Sequence, residues 1–167
     1  MNMNAEEIEN EIKAAFKNVR LDGGISLHQA KVINNYGEGV TNEEFAALPQ
    51  QDITDDWTVL STELLDEYCI IPHFDAKGFR YYIPAYLLSV LDCYDHLSER
   101  SMSTLSALHP QKDRLWDYHM MHYSLLDANQ RSAIAHFLQA LPNIVVLDSE
   151  DTEVVEQALG NFWHQFI

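Results

Sequence analysis

A chain of 167 residues with 47% apolar and 11% aromatic side chains can bury roughly 70% of the surface its unfolded form exposes, so it needs neither a metal nor a disulfide to fold. Its 26 acidic and 10 basic residues leave a formal charge of −16. A surface of that sign repels phosphate backbones and anionic lipid heads, which disfavours direct binding of nucleic acid or of a membrane surface.

The predicted elements are overwhelmingly helical and individually capped. Asn4 with Glu7 reads as an N-cap and its partner, followed by Ile8, Ile12, Phe16 and Val19 at helical spacing, until Asp22-Gly23-Gly24 breaks the pattern. Ser26 with Gln29 opens a second helix, with Leu27, Ala30, Ile33 and Tyr36 as its apolar face and Gly37 as its C′ residue. Thr41 with Glu44 opens a third, short helix that stops at Pro49. Trp57 is expected to anchor the turns around it, and a helix over 61–68 would bury Leu64, Leu65 and Tyr68. Ile71 before Pro72 should be extended. Asp75 to Gly78 then reads as a turn with Gly78 at positive φ, and Pro84 as the first turn of the next helix, which carries Leu87, Val90, Leu91 and Tyr94 inward.

A short helix is expected from Ser98 to His109. Residues 113–125 fit a helix only roughly, and their aromatic density would suit a strand. Asp127 with Gln130 caps the clearest helix of the chain, stopped at Pro142, and 143–147 reads as a brief extended run. The last helix starts near Ser149 and buries Val155, Leu159, Phe162, Trp163 and Phe166. The expected fold is therefore mainly α: a single irregular globular helical domain over 1–167, about seven helices, and at most a minor β pairing near 115–125 or 143–147.

The stretch from Phe74 to Leu87, FDAKGFRYYIPAYL, resembles a bacterial family of unknown function whose core reads F-x-D-x-x-G-F-R-x-Y-x-P-A-Y. Trp57 upstream and the Leu126 to Leu138 segment downstream agree with it, with Asp127 where that family more often has Thr, another good N-cap. The resemblance implies a soluble bacterial protein and brings no activity with it.

The motif's chemistry centres on Arg80. It either pairs with a carboxylate, Asp75 being nearest in sequence, or lines a pocket with Tyr81, Tyr82 and Tyr86 for an anionic or carbonyl-bearing group. His119 and His122 have the i, i+3 spacing that brings two imidazoles to one side of a helix, which would suit a transition metal with His96, His109 or Asp117 completing the set. No further ligand falls at a motif spacing, so no metal site and no cofactor are assigned. Cys69 and Cys93 sit in apolar runs and read as buried free thiols. No nucleophile elbow and no glycine-rich phosphate loop is present, so nothing marks the chain as an enzyme.

The charge itself is uneven. Between Lys31 and Lys77 there is no Lys or Arg, while Glu38, Glu43, Glu44, Asp52, Asp55, Asp56, Glu63, Asp66, Glu67 and Asp75 fall there, and 132–167 is likewise base-free. Such a stretch is either a solvated face or a docking face. The sequence favours a non-enzymatic acidic interaction protein that binds a basic protein partner, an immunity-type inhibitor being one concrete version. The polar, acidic start and the lack of any apolar run near 18 residues predict no signal peptide, no membrane span and a cytoplasmic location.

Overall fold

A computed structural model describes residues 2–113 and 115–167. Among them nine α-helices and four short 3-10 segments alternate, and there is no strand. The N-caps account for most of the starts. Asn4, Ser26, Thr41 and Asp127 each form a full capping box with the Glu or Gln three residues on, opening α1 (Ala5–Ala15), α2 (Leu27–Asn34), α3 (Asn42–Ala47) and α8 (Ala128–Ile144). Ser61, Asp75, Ser98 and Asp148 cap α4 (Thr62–Glu67), α5 (Ala76–Cys93), α6 (Glu99–Ala107) and α9 (Ser149–Asn161) with one side-chain bond each.

Two segments are helical where the sequence suggested otherwise, one a separate helix and the other an extension of its neighbour, and the described residues hold nine helices rather than about seven. The ambiguous stretch forms α7 (Trp116–Tyr123), whose His119, His122 and Tyr123 face the core. The run after Pro142 stays in α8 through Ile144, so neither proposed β pairing exists among the described residues.

The larger revision is α5. Asp75 to Gly78 is not a turn: Asp75 is an N-cap whose Oδ1 accepts from the Gly78 amide at 2.8 Å, so the helix starts eight residues before Pro84. Pro84 lies within it, where it leaves the Arg80 carbonyl without its helical donor. Burial of Phe79, Tyr82, Ile83 and Leu87 on this one helix outweighs that loss, each such side chain being worth about 1.5–3 kcal/mol. Gly78 serves close approach rather than positive φ. A Cβ on it would lie 2.7 Å from the Ile25 carbonyl oxygen, and one on Gly24 would lie 2.6 Å from Lys77 Cβ. The chain at 24–25 thus crosses directly over the start of α5, held there by a 3.0 Å bond from the Ile25 amide to Asp75.

Helix α5 is the axis of the core. It touches α1, α6, α7 and α8, while α1 lies along α8, and α9 with the 3-10 segment Trp163–Phe166 closes over α6 and α8. Buried indoles tie remote elements together: Trp57 Nε1 donates to the Phe16 carbonyl at 2.9 Å and Trp163 Nε1 to that of Leu108 at 2.7 Å. Of the last helix's expected core residues, Val155 and Trp163 are buried and Leu159, Phe162 and Phe166 are half-buried. None of the described helices is long and apolar enough to cross a membrane.

Candidate functional sites

The tyrosines of the central motif are core residues. Tyr81, Tyr82 and Tyr86 are fully buried. The Tyr81 hydroxyl donates to the Ile53 carbonyl at 2.8 Å, that of Tyr86 to the Tyr68 carbonyl, and that of Tyr82 accepts from the Leu27 amide at 3.3 Å. Burial raises the pKa of all three. Arg80 joins neither Asp75 nor the tyrosines. Its Nε donates to Gln130 Oε1 at 3.2 Å, and Gln130 in turn donates to the Ala15 carbonyl, so the half-buried Arg80 and the buried Gln130 link α5, α8 and the end of α1. None of the four side chains lines the larger surface clefts.

The thiols differ from expectation. Cys69 is half-buried and burial pushes it to about 11, while Cys93 is exposed at the end of α5, with a hydrogen bond to Asp92 raising its pKa. Neither is an activated nucleophile.

His119 and His122 do share the inner side of α7, and His109 joins them in one cleft of about 510 Å³ between α6, α7 and the 3-10 segment Ile71–His73. His96 and Asp117 stay exposed and do not line it. Its walls include Ile71, Pro72, Met102, Leu115 and Tyr118, together with the exposed Glu99. The His122 ring stacks on Phe79 with centroids 5.1 Å apart, and its Nε2 lies 2.7 Å from the Phe74 carbonyl. Among the described residues no group of three or more His, Cys, Asp or Glu is placed to hold a metal ion.

Burial lowers the pKa of His109, His119 and His122 below the ordinary imidazole value. The unfolded chain therefore takes up these protons first, so their contribution is fully present above about pH 6.5 and is lost as the pH falls from there through the folded values. The expected result is a melting temperature that drops between about pH 7.5 and pH 5.5, with a shallower slope in His119→Phe. An unchanged slope in that variant, followed by calorimetry, would remove the assignment.

The first part of the base-free stretch, as far as Gln51, builds a lobe outside the core. Helix α2 ends in a Schellman close: the Tyr36 amide bonds the Ile33 carbonyl at 3.0 Å and the Gly37 amide the Val32 carbonyl at 2.8 Å. The C′ position, usually glycine, is therefore Tyr36, with φ 59°, and Gly37 follows it. Tyr36 is 99% exposed, not part of the apolar face of α2. From there to Gln51 the chain makes an excursion with no buried residue, in which Glu38, Glu43 and Glu44 are exposed. Its return is fixed by Asp52, which accepts from the His28 backbone and lies 2.7 Å from its ring, and by the Leu21 amide on the Thr54 carbonyl at 2.9 Å. Periodicity assigned Tyr36 to the core; only the paired turn bonds reveal where the helix closes.

A nine-helix domain around one buried aromatic helix, with an acidic lobe and a histidine-lined cleft, is thus the class of protein in hand. The chain belongs to a family of unknown function, DUF6714, whose profile matches residues 4–167. No curated protein and no solved structure matches it.

Proposed function

We propose that this is a non-enzymatic interaction protein whose acidic lobe, residues 32–56, receives a Lys/Arg-rich segment of a partner protein. The observation that carries this reading is Tyr36. A fully exposed aromatic buries nothing, and an L-residue at left-handed φ costs about 1–2 kcal/mol, so Tyr36 does not serve the fold. An exposed aromatic face two residues from Glu38, in the same excursion as the exposed Glu43 and Glu44, offers a basic side chain both a cation–π contact and charge pairing. An immunity- or inhibitor-like role against a basic protein is the concrete form of this reading. A pocket at Arg80, Tyr81, Tyr82 and Tyr86 is the less supported alternative, since those hydroxyls already have backbone partners.

Tyr36→Gly is the test. It should raise folding stability by about 1 kcal/mol by relieving the left-handed tyrosine. It should also weaken binding of a fluorescent deca-arginine peptide about tenfold or more, as loss of an aromatic anchor does. Amide shifts on titration should concentrate in 32–56 and fade with added salt. Shifts spread evenly over the acidic surface, or unchanged affinity in Tyr36→Gly, would overturn the reading.

A further inference from the structure

We infer that the cleft between α6 and α7 is a second, independent binding site, for a small organic molecule with a flat apolar body that carries N–H donors, an aryl amine or aryl amidine. Three observations converge on that class. The first is the pair of imidazoles at the floor. The Tyr123 hydroxyl gives its one proton to the Ala107 carbonyl at 2.7 Å; the His119 ring bonds that same carbonyl and its Nδ1 lies 3.4 Å from the Tyr123 oxygen, so Nδ1 is assigned as the protonated nitrogen. That leaves His119 Nε2 a bare lone pair. His122 Nε2 faces a carbonyl, which can only accept, so it carries the proton and Nδ1 is bare. Neither bare nitrogen has a hydrogen-bond partner among the described residues, yet no buried side-chain nitrogen or oxygen there is sealed off without one. Both nitrogens therefore keep an opening to solvent, and the cleft that both rings line is that opening.

The second observation is the balance of the polar lining. The Glu99 carboxylate is the one charged group among the described lining residues, beside the neutral Ser103, Ser106, Gln111 and the imidazoles, and no Lys or Arg occurs among them. Such a wall repels carboxylates and phosphates and attracts N–H groups, cationic ones most. The third is shape. About 510 Å³ is room for a ring compound rather than for water alone. Ile71, Met102 and Leu115 give it apolar sides, and the Tyr118 ring is held in place by its hydroxyl's bond to the Pro72 carbonyl. Because the hydroxyl is engaged there, Tyr118 offers the ligand its ring.

Benzamidine and benzoate share a ring and differ in the sign and hydrogen-bonding sense of the head group, so they form the test on the full chain. Benzamidine should bind saturably and shift the imidazole resonances of His119 and His122, whereas benzoate should shift neither. Glu99→Gln, an exposed change that leaves the floor intact, should weaken benzamidine about threefold to tenfold. His119→Phe, which keeps a ring but removes the acceptor, should weaken it about tenfold or more. Should His119→Phe fail to fold, the wild-type shifts and Glu99→Gln decide alone. Equal binding of benzoate, no saturable benzamidine binding, or wild-type affinity in Glu99→Gln would overturn the proposal. The acidic lobe lies outside this cleft, so Tyr36→Gly should leave benzamidine binding unchanged, and either reading can fail without the other.

Discussion

Arg100→Ala should be among the most damaging single changes in the chain, costing about 2–6 kcal/mol because it leaves two carbonyls without donors at about 1–3 kcal/mol each, of a total stability of about 5–15 kcal/mol. Helix α5 ends at Cys93 as Tyr94 turns to extended backbone, φ −62° and ψ 131°. The carbonyls of its last turn then need donors, and a guanidinium from α6 supplies them. Arg100 Nη1 donates to the Ser89 carbonyl and hydroxyl at 3.0 Å each, and Nη2 to the Cys93 carbonyl at 3.1 Å. It is also a cation at the negative end of the helix dipole. Its Nε donates to Asp66 Oδ1 at 2.7 Å, but that carboxylate is 52% exposed while Arg100 is 4% exposed. Water can replace the arginine at Asp66 and cannot easily reach Ser89. Asp66→Asn should therefore cost about 1 kcal/mol or less. Arg100→Lys should fall between the two, because a point charge cannot reproduce the fork. Urea denaturation of the three variants checks the ranking; Asp66→Asn matching Arg100→Ala would show that the ion pair, not the capping, holds the junction.

Gly78→Ala should cost about 1–3 kcal/mol, although alanine is the better helix former by about 1 kcal/mol. The new methyl would meet the Ile25 carbonyl oxygen at 2.7 Å and Phe74 Cβ at 3.2 Å. Neither is the free end of a flexible side chain. Gly24→Ala presses the same crossing from the other side, 2.8 Å from the Gly78 amide nitrogen, and gains nothing in propensity, so it should cost at least as much. Both changes force one separation of the 24–25 segment from α5. The double variant should therefore fall short of the sum of the two. Strict additivity in thermal melts would mean that each glycine is accommodated locally and that the crossing is not one unit.

Most of the helix starts were legible because capping is local chemistry. Asn4, Ser26, Thr41 and Asp127 each announce themselves by a Glu or Gln three residues on, and all four boxes form. The start of α5 is not legible in the sequence, because Asp-x-x-Gly serves a turn and an N-cap with the same side-chain bond, and the choice is made by packing around Ile25, fifty residues earlier. Arg80 was hard for a related reason: its partner is a glutamine already used in a cap, far along the chain. In α7, helix and strand propensities nearly balance, and contact of His122 and Tyr123 with Phe79 favours the helix. Tyr36 shows the limit of periodicity, which counts a residue one position beyond the last hydrogen-bonded turn as though the helix went on. Of the candidate sites, the charge distribution and the histidine pair were visible in sequence. The cleft was not, since Ile71, Glu99 and Leu115 meet only in space.

The lobe between α2 and Asp52 hangs from the core by its two ends, with Asn34 bonded to His73 and Asp52 to His28. Between those anchors no residue is buried, and a further bond, from the Gln29 side-chain amide to the Phe45 carbonyl, ties the excursion to α2. Doubling the length of such an excursion costs only about 0.6 kcal/mol of closure entropy. Insertions, deletions and substitutions in that surface should therefore cost the fold little, which leaves the excursion open to change on a scaffold that keeps its core.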